Sequence, residues 1–308
     1  MVSLIPIPMN DLSQLLTETR NPATENLDQL ATFDLVRAFH AADFEAAAAV
    51  DPELGRIADA VDAIVARLEK GGRLFYLGAG TSGRLGVLDA SECPPTYNTP
   101  PELVQGVIAG GDAALRRAIE HIEDDESQGR RDLETCGFSG RDALVGITAS
   151  GRTPYVLGGI RYARELGALT IGLSCVPGSL LSQAAELAIT PATGAEPVTG
   201  STRMKAGTAT KLVLNMLSTG TMVRLGYVYG NLMVNVQPTN LKLRDRAARI
   251  VASITGLEHS AAVTLTREAG SVKTAIVMAK LGVNSEAAEQ RLQQAGGRLR
   301  AALGEDHG

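Results

Sequence analysis

Between Leu74 and Thr190 the chain alternates short apolar runs, each ending near Gly, Ser or Thr, with longer stretches of helical character. The runs are Leu74–Leu77, Leu103–Ala109, Ala143–Thr148, Leu169–Ser174 and Leu187–Thr190. Parallel strands cannot be joined by tight hairpins. They need crossovers of roughly a dozen residues or more, which are right-handed and place helices over the sheet. The pattern therefore predicts an α/β fold with a doubly wound parallel sheet and helices on both faces. In such sheets ligands bind beyond the carboxyl ends of the strands, so chemistry is expected in the loops that follow these runs.

The flanks read differently. Residues 1–10 carry two prolines and little pattern, and Glu25 to Val50 reads as helical. Asp51-Pro52 supplies a cap and a first-turn proline ahead of Leu54, Ile57, Val61, Ile64 and Leu68, whose spacing marks one apolar helix face that Gly71-Gly72 closes. After about residue 243 the sequence turns to Ala, Arg, Glu and Leu. Helices are expected at 243–267, 271–281 and 286–294, separated by Gly270, Gly282 and Gly296-Gly297.

Composition removes several classes of function. With 308 residues, 44% of them hydrophobic, the chain can bury a sizeable core and is not disordered. Twenty-nine basic against 34 acidic residues leave a net charge of −5 with no long basic run, so nucleic acid is not an expected partner. Cys93, Cys136 and Cys175 are odd in number and widely spaced, which predicts free thiols in a reducing compartment. The four histidines form no cluster with ligand spacing, so no metal site is expected. No leader segment and no apolar run of membrane-spanning length is seen, so neither export nor a membrane partner is expected.

Two loops echo one another. Leu77-Gly78-Ala79-Gly80-Thr81-Ser82-Gly83-Arg84 and Ile147-Thr148-Ala149-Ser150-Gly151-Arg152-Thr153 each follow a strand, contain Ser-Gly-Arg and precede a helix. The first spells G-x-G-x-x-G, but a dinucleotide site also expects an acid ending the second strand, where this chain has Ala109-Gly110-Gly111. Hydroxyls at a helix start suit a phosphate better: Thr81 and Ser82 add side-chain donors to free amides and the helix dipole. Ser150 and Thr153 repeat this chemistry. A third cluster, Thr199-Gly200-Ser201-Thr202-Arg203-Met204-Lys205, adds Ser201, Thr202 and two cations ahead of a long helix. Taken singly, each such loop also reads as ordinary helix capping.

Two carboxylates stand near these loops. Glu92 lies in Asp89-Ala90-Ser91-Glu92-Cys93-Pro94-Pro95-Thr96, a segment expected to be rigid and non-helical because of its two prolines. Glu123 lies in the acidic run Glu120-His121-Ile122-Glu123-Asp124-Asp125-Glu126, which read alone is a solvated surface.

Together these runs, with Thr17-Glu18-Thr19-Arg20-Asn21-Pro22, Asn215-Met216-Leu217-Ser218-Thr219, Asn231-Leu232-Met233-Val234 and Asn240-Leu241-Lys242-Leu243, resemble the N-acetylmuramic acid 6-phosphate etherase family over nearly the whole chain. The resemblance implies a sugar isomerase (SIS) domain over 63–226, a helical leader over 1–62 and a small C-terminal three-helix module over 227–308. It also implies a cytoplasmic homodimer with no cofactor and a sugar phosphate as its small-molecule partner. The implied reaction cleaves a D-lactyl ether to give N-acetylglucosamine 6-phosphate and D-lactate during recycling of cell-wall sugars. The family's two active-site glutamates match Glu92 and Glu123. The family commonly has Gly-Ala in the second motif, where this chain has His121-Ile122.

The residue types fit that chemistry. In the ring-opened sugar, the hydrogen on carbon 2 is acidified by the aldehyde and can be taken by a carboxylate, while the lactate oxygen on carbon 3 must be protonated as it leaves. Glu92 is expected to be the acid, in a buried or apolar setting, and Glu123 the base. Ser82, Ser150 and Thr153 are expected to hold the 6-phosphate, with Thr81, Ser201 and Thr202 as further donors. Arg203 or Lys205 would take the lactyl carboxylate. Two rival readings share the phosphate loops, an aldose–ketose isomerase and a non-catalytic sugar-phosphate sensor; the Glu92 motif argues against the first, and retention of both glutamates against the second.

Overall fold

In the computed structural model the five expected strands form one parallel sheet: β1 (Leu74–Gly78), β2 (Val104–Ile108), β3 (Ala143–Ile147), β4 (Leu169–Leu173) and β5 (Leu187–Ile189), in the order β2-β1-β3-β4-β5. The structure describes residues 17–119, 121–236 and 240–305; the unpatterned stretch at 1–10 lies outside them. Every residue of β1, β3 and β4 is buried, as expected of parallel strands covered on both faces.

Among the described residues eight α-helices accompany the strands: α1 (Thr32–Ala48), α2 (Leu54–Leu68), α3 (Gly80–Tyr97), α4 (Gly111–Arg116), α5 (Glu126–Thr135), α6 (Pro154–Glu165), α7 (Leu180–Ala184) and α8 (Lys205–Arg224). On one face Phe75, Leu77 and Leu144 pack with Leu133 of α5 and with Tyr155, Val156 and Ile160 of α6. Helix α3 lies on the other face, where Gly86 comes so close to Tyr76 and Ile147 that a methyl group there would be crowded. Burying each large aliphatic side chain contributes about 1.5–3 kcal/mol, so these two layers supply most of the drive to form the sheet.

The chain forms two compact units. One runs up to Ala90 and from Val104 to Leu217; the other holds Ser91–Leu103 and Ser218–Gly308. The second contains α9 (Leu241–Thr255), α10 (His259–Ala269), α11 (Val272–Leu281), α12 (Ser285–Gln294) and α13 (Leu299–Leu303), packed around a core rich in alanine.

Four local expectations need correction. The helix expected from Glu25 begins only at Thr32. Ahead of it Pro22–Thr24 and Leu27–Gln29 form short 3-10 turns, with the Asn21 side chain accepting from the Ala23 amide. In the α2 row Ile57, Val61, Ile64 and Leu68 are buried, whereas Leu54, at the helix start, is exposed. The expected helix at 243–267 is two, because Gly256 takes φ +75 and closes α9; with α13, too short to be noticed, the three expected helices become five. Finally, α3 continues through Glu92 and both prolines to Tyr97, so the segment expected to be non-helical is the helix's last two turns. A proline withholds its amide from the carbonyl four residues back, here Ala90 and Ser91, and the boundary between the two units falls between those residues.

Candidate functional site

The order of the strands sets where a ligand can sit. Along the chain β2 follows β1 on one side, and β3 then returns to pair with β1 on the other, so the β1/β3 junction is a topological switch point. Gly78 and Ile147, the last residues of these strands, are register partners. The two Ser-Gly-Arg loops therefore leave the sheet side by side.

In the first loop the strand becomes α3 within two residues. Gly78 and Gly83 approach so closely that a Cβ on either would meet the other's backbone at 2.7 Å, and Gly80 takes φ +52. Thr81 and Ser82 fall in the first turn of α3 and are half-buried. In the second loop the Thr148 hydroxyl lies 2.7 Å from that of Thr153 and 3.4 Å from that of Ser150, which also accepts the Arg152 amide at 3.3 Å. Thr153 is the N-cap of α6, yet its side chain makes no bond to the helix. Thr148, not foreseen as part of the site, links both foreseen hydroxyls; its place at the end of an apolar run was the available signal.

The three helix starts are not equivalent. At α6, Pro154 has no amide, and the Tyr155 amide donates to the Glu123 carbonyl at 3.0 Å. At α8, the buried Glu196 carboxylate accepts the Lys205 and Ala206 amides at 2.8 and 3.0 Å. Burial raises the Glu196 pKa, while those amides and the nearby Lys205 charge offset part of the rise. In the first turn of α3 the Gly83 amide already bonds the Ala79 carbonyl at 3.1 Å, so the groups this turn offers an anionic ligand are the Thr81 and Ser82 amides and hydroxyls.

The third cluster is held by distant parts of the first unit. Asn21 donates to the Ala195 carbonyl at 3.3 Å and Thr24 to that of Pro197 at 2.9 Å, fastening the segment after Thr17 to the loop ahead of Ser201 and Thr202. The Lys205 ammonium is buried, with Glu45 at 2.7 Å and the Ala195 carbonyl at 3.2 Å. Arg203 is exposed. Of the two cations offered for a ligand carboxylate, Lys205 is thus already paired within the chain.

Glu123 sits in the turn between α4 and α5 with its side chain exposed, and the Tyr155–Glu123 bond fixes this turn to the start of α6, beside Thr153. His121, in the same turn, takes φ +64. The residue that departs from the family pattern therefore holds the backbone in a conformation glycine adopts freely.

Glu92 lies on α3, exposed, in the part that belongs to the second unit; Glu123 and the hydroxyl loops belong to the first. The buried setting expected for the acid is thus absent from this chain's own fold. Three residues before Glu92, the buried Asp89 accepts from the Tyr76 hydroxyl at 2.9 Å and the Asn215 amide at 2.7 Å, which ties α3 to β1 and α8. Among the described residues no group of three His, Cys, Asp or Glu could hold a metal ion, and the three cysteines are free.

Comparison with known proteins follows the same lines. Residues 56–164 match the family described as the glucokinase regulatory protein N-terminal SIS domain. An N-acetylmuramic acid 6-phosphate etherase of Serratia proteamaculans is 54% identical over 294 residues, covering 95% of this chain and 99% of that one. That of Aeromonas hydrophila is 54% identical over 288 residues, covering 93% and 97%. Among solved structures, a protein described as a phosphosugar isomerase of capsule formation from Bacteroides fragilis has a TM-score of 0.51 at 19% identity, over 65% of this chain and 95% of that one.

Proposed function

The chain belongs to the N-acetylmuramic acid 6-phosphate etherase family, and from that premise we propose how its residues divide the work. The enzyme is a carbon–oxygen lyase that cleaves the D-lactyl ether of N-acetylmuramic acid 6-phosphate, giving N-acetylglucosamine 6-phosphate and D-lactate. The observation that carries our assignment is the pair of hydroxyl loops at the β1/β3 switch point, with the Glu123 turn bonded to the helix that the second loop opens.

The 6-phosphate binds the first turn of α3 through Thr81 and Ser82, and Ser150 and Thr153 donate from the neighbouring loop. This leaves the sugar carbons next to the Glu123 turn, an orientation effect that makes proton transfer effectively unimolecular. Ser201 and Thr202 are further donors, and Arg203 faces the lactyl carboxylate. The Glu123 carboxylate takes the hydrogen from carbon 2 of the open-chain aldehyde. The protonated Glu92 carboxyl gives its hydrogen to the ether oxygen as the bond to carbon 3 breaks, releasing lactate and leaving an unsaturated aldehyde. Water then adds at carbon 3: Glu92 takes a proton from it, and Glu123 returns one to carbon 2. Protons balance over the cycle, and each group contributes about 10²–10⁴-fold. The reading calls for no cofactor.

Release of D-lactate from the substrate tests this. Glu92→Gln and Glu123→Gln should each lower kcat by at least about 10²-fold with sugar-phosphate affinity retained. Full turnover in either variant overturns its role. Ser82→Ala should raise KM for the phosphorylated substrate instead. The homodimer and cytoplasmic setting implied by the resemblance belong to the same proposal, and the mass in solution checks the first.

A further inference from the structure

Within the second unit a cavity of about 540 Å³ opens beside the start of α11. Val234, Val272 and Leu292 form its apolar wall, and Asn98, Asn235 and Lys273 contribute polar groups. Among the described residues no carboxylate lines it. The Lys273 ammonium donates to the carbonyls of Gly226 at 3.0 Å and Gly297 at 2.7 Å and lies 5.5 Å from the centre of the Tyr227 ring. Two of its three N–H bonds thus have fixed acceptors, and none of these neighbours carries a negative charge. Lys273 is also the second residue of α11, where the positive end of the helix adds to its charge. Burial alone pulls its pKa down to about 8. Among the described residues, then, this half-buried cation is held by dipoles and a ring, without the counter-charge that usually accompanies such a group.

We propose that this cavity is a binding site for a small oxyanion, a phosphate or carboxylate group held by the third N–H of Lys273, with any attached carbons against Val234, Val272 and Leu292. The site is separate from the hydroxyl loops of the first unit and does not rest on their assignment. An occupant would meet the residues that hold the end of α3. The Asn235 amide donates to the Tyr97 carbonyl at 2.7 Å, Asn98 follows that residue, and the Tyr97 and Tyr227 rings meet edge to face at 6.4 Å.

The test is a titration of methyl-labelled full-length protein with inorganic phosphate, with D-lactate and with chloride at matched ionic strength. Saturable shifts of the Val234, Val236 and Val272 methyl signals in the millimolar range are expected with phosphate or lactate and not with chloride. Phosphate alone points to a phosphate ester as the ligand, lactate alone to a hydroxy acid, and both to a general oxyanion site. Lys273→Met should weaken the response at least tenfold. Should that variant fail to fold, Leu292→Phe fills the cavity with the cation intact and should weaken it equally. In Ser82→Ala these shifts should persist, which separates this site from phosphate bound at the sheet. Absence of saturable shifts in the wild type, an equal response to chloride, or undiminished binding in both variants overturns the proposal.

Discussion

The backbone carbonyl of Glu123 accepts the amide of Tyr155 at 3.0 Å, so the turn that carries this carboxylate moves with the first turn of α6. That helix is in turn pressed against α5 through glycines. A methyl group on Gly158 would run into the Glu126 carbonyl, and one on Gly129 into that of Tyr155. Gly158→Ala should therefore cost about 1–3 kcal/mol in denaturant unfolding, the usual range for overpacking. It should also lower kcat at least tenfold, because separating α5 from α6 displaces Glu123. Unchanged kcat in a destabilised variant would show that the turn does not position the base.

Arg203 and Lys205 should behave oppositely when replaced. Lys205 is buried against Glu45, so Lys205→Met leaves the Glu196 and Glu45 side of the first unit with an unbalanced charge and should appear mainly as lost stability. Arg203→Ala should leave stability within about 0.5 kcal/mol, as exposed substitutions do, and raise KM for the lactyl substrate. Equal loss of affinity for N-acetylglucosamine 6-phosphate would remove Arg203 as the lactyl partner.

His121 offers a change in the other direction. A non-glycine residue in the left-handed region costs about 1–2 kcal/mol, and the extra freedom of glycine in the unfolded chain returns roughly half of that. His121→Gly should raise stability by about 0.5–1 kcal/mol, read as a higher Tm with turnover retained. A lower Tm would mean that the imidazole's own contacts outweigh the strain.

Acid stability should depend on Asp142. Burial pushes its carboxyl up, but hydrogen bonds from Arg73 and Ser139 and the Arg73 charge outweigh burial and hold it below the ordinary carboxylate range. Its pKa is thus lower folded than unfolded, so its contribution is complete above about pH 3.8 and is lost as pH falls through the lower folded value. Asp142→Asn should lose about 1.5–3 kcal/mol at neutral pH, the scale of hydrogen bonds to a charged group, and should show a shallower acid limb of stability against pH. Parallel acid limbs in variant and wild type would refute this.

The strands were legible because parallel strands buried on both faces must be almost wholly apolar, and all five lie within a residue of their expected ends. The course of α3 past Glu92 was not, because Pro94-Pro95 carries a strong local signal against helix that packing overrides near a helix end. Thr81, Ser82, Ser150 and Thr153 could be placed at helix starts from spacing alone. What spacing could not reveal is which helix start is already satisfied: Glu196 lies nine residues before Lys205 and reads as a surface acid, although the fold turns it into the cap of α8. Asp89 likewise reads as one more polar helix residue, and nothing in its local sequence points to the bonds from Tyr76 and Asn215 that it accepts when buried.

Each compact unit is assembled from two separate stretches of chain, and this orders events on the ribosome. The stretch Ser91–Leu103, which includes Glu92, is synthesised early, but the rest of its unit begins only at Ser218. Domains form as units when their parts are available, so this stretch must wait, without its packing partners, while more than a hundred further residues are made. A nascent chain halted before Ser218 would already carry every strand of the sheet, while Ser91–Leu103 still lacked the remainder of its unit.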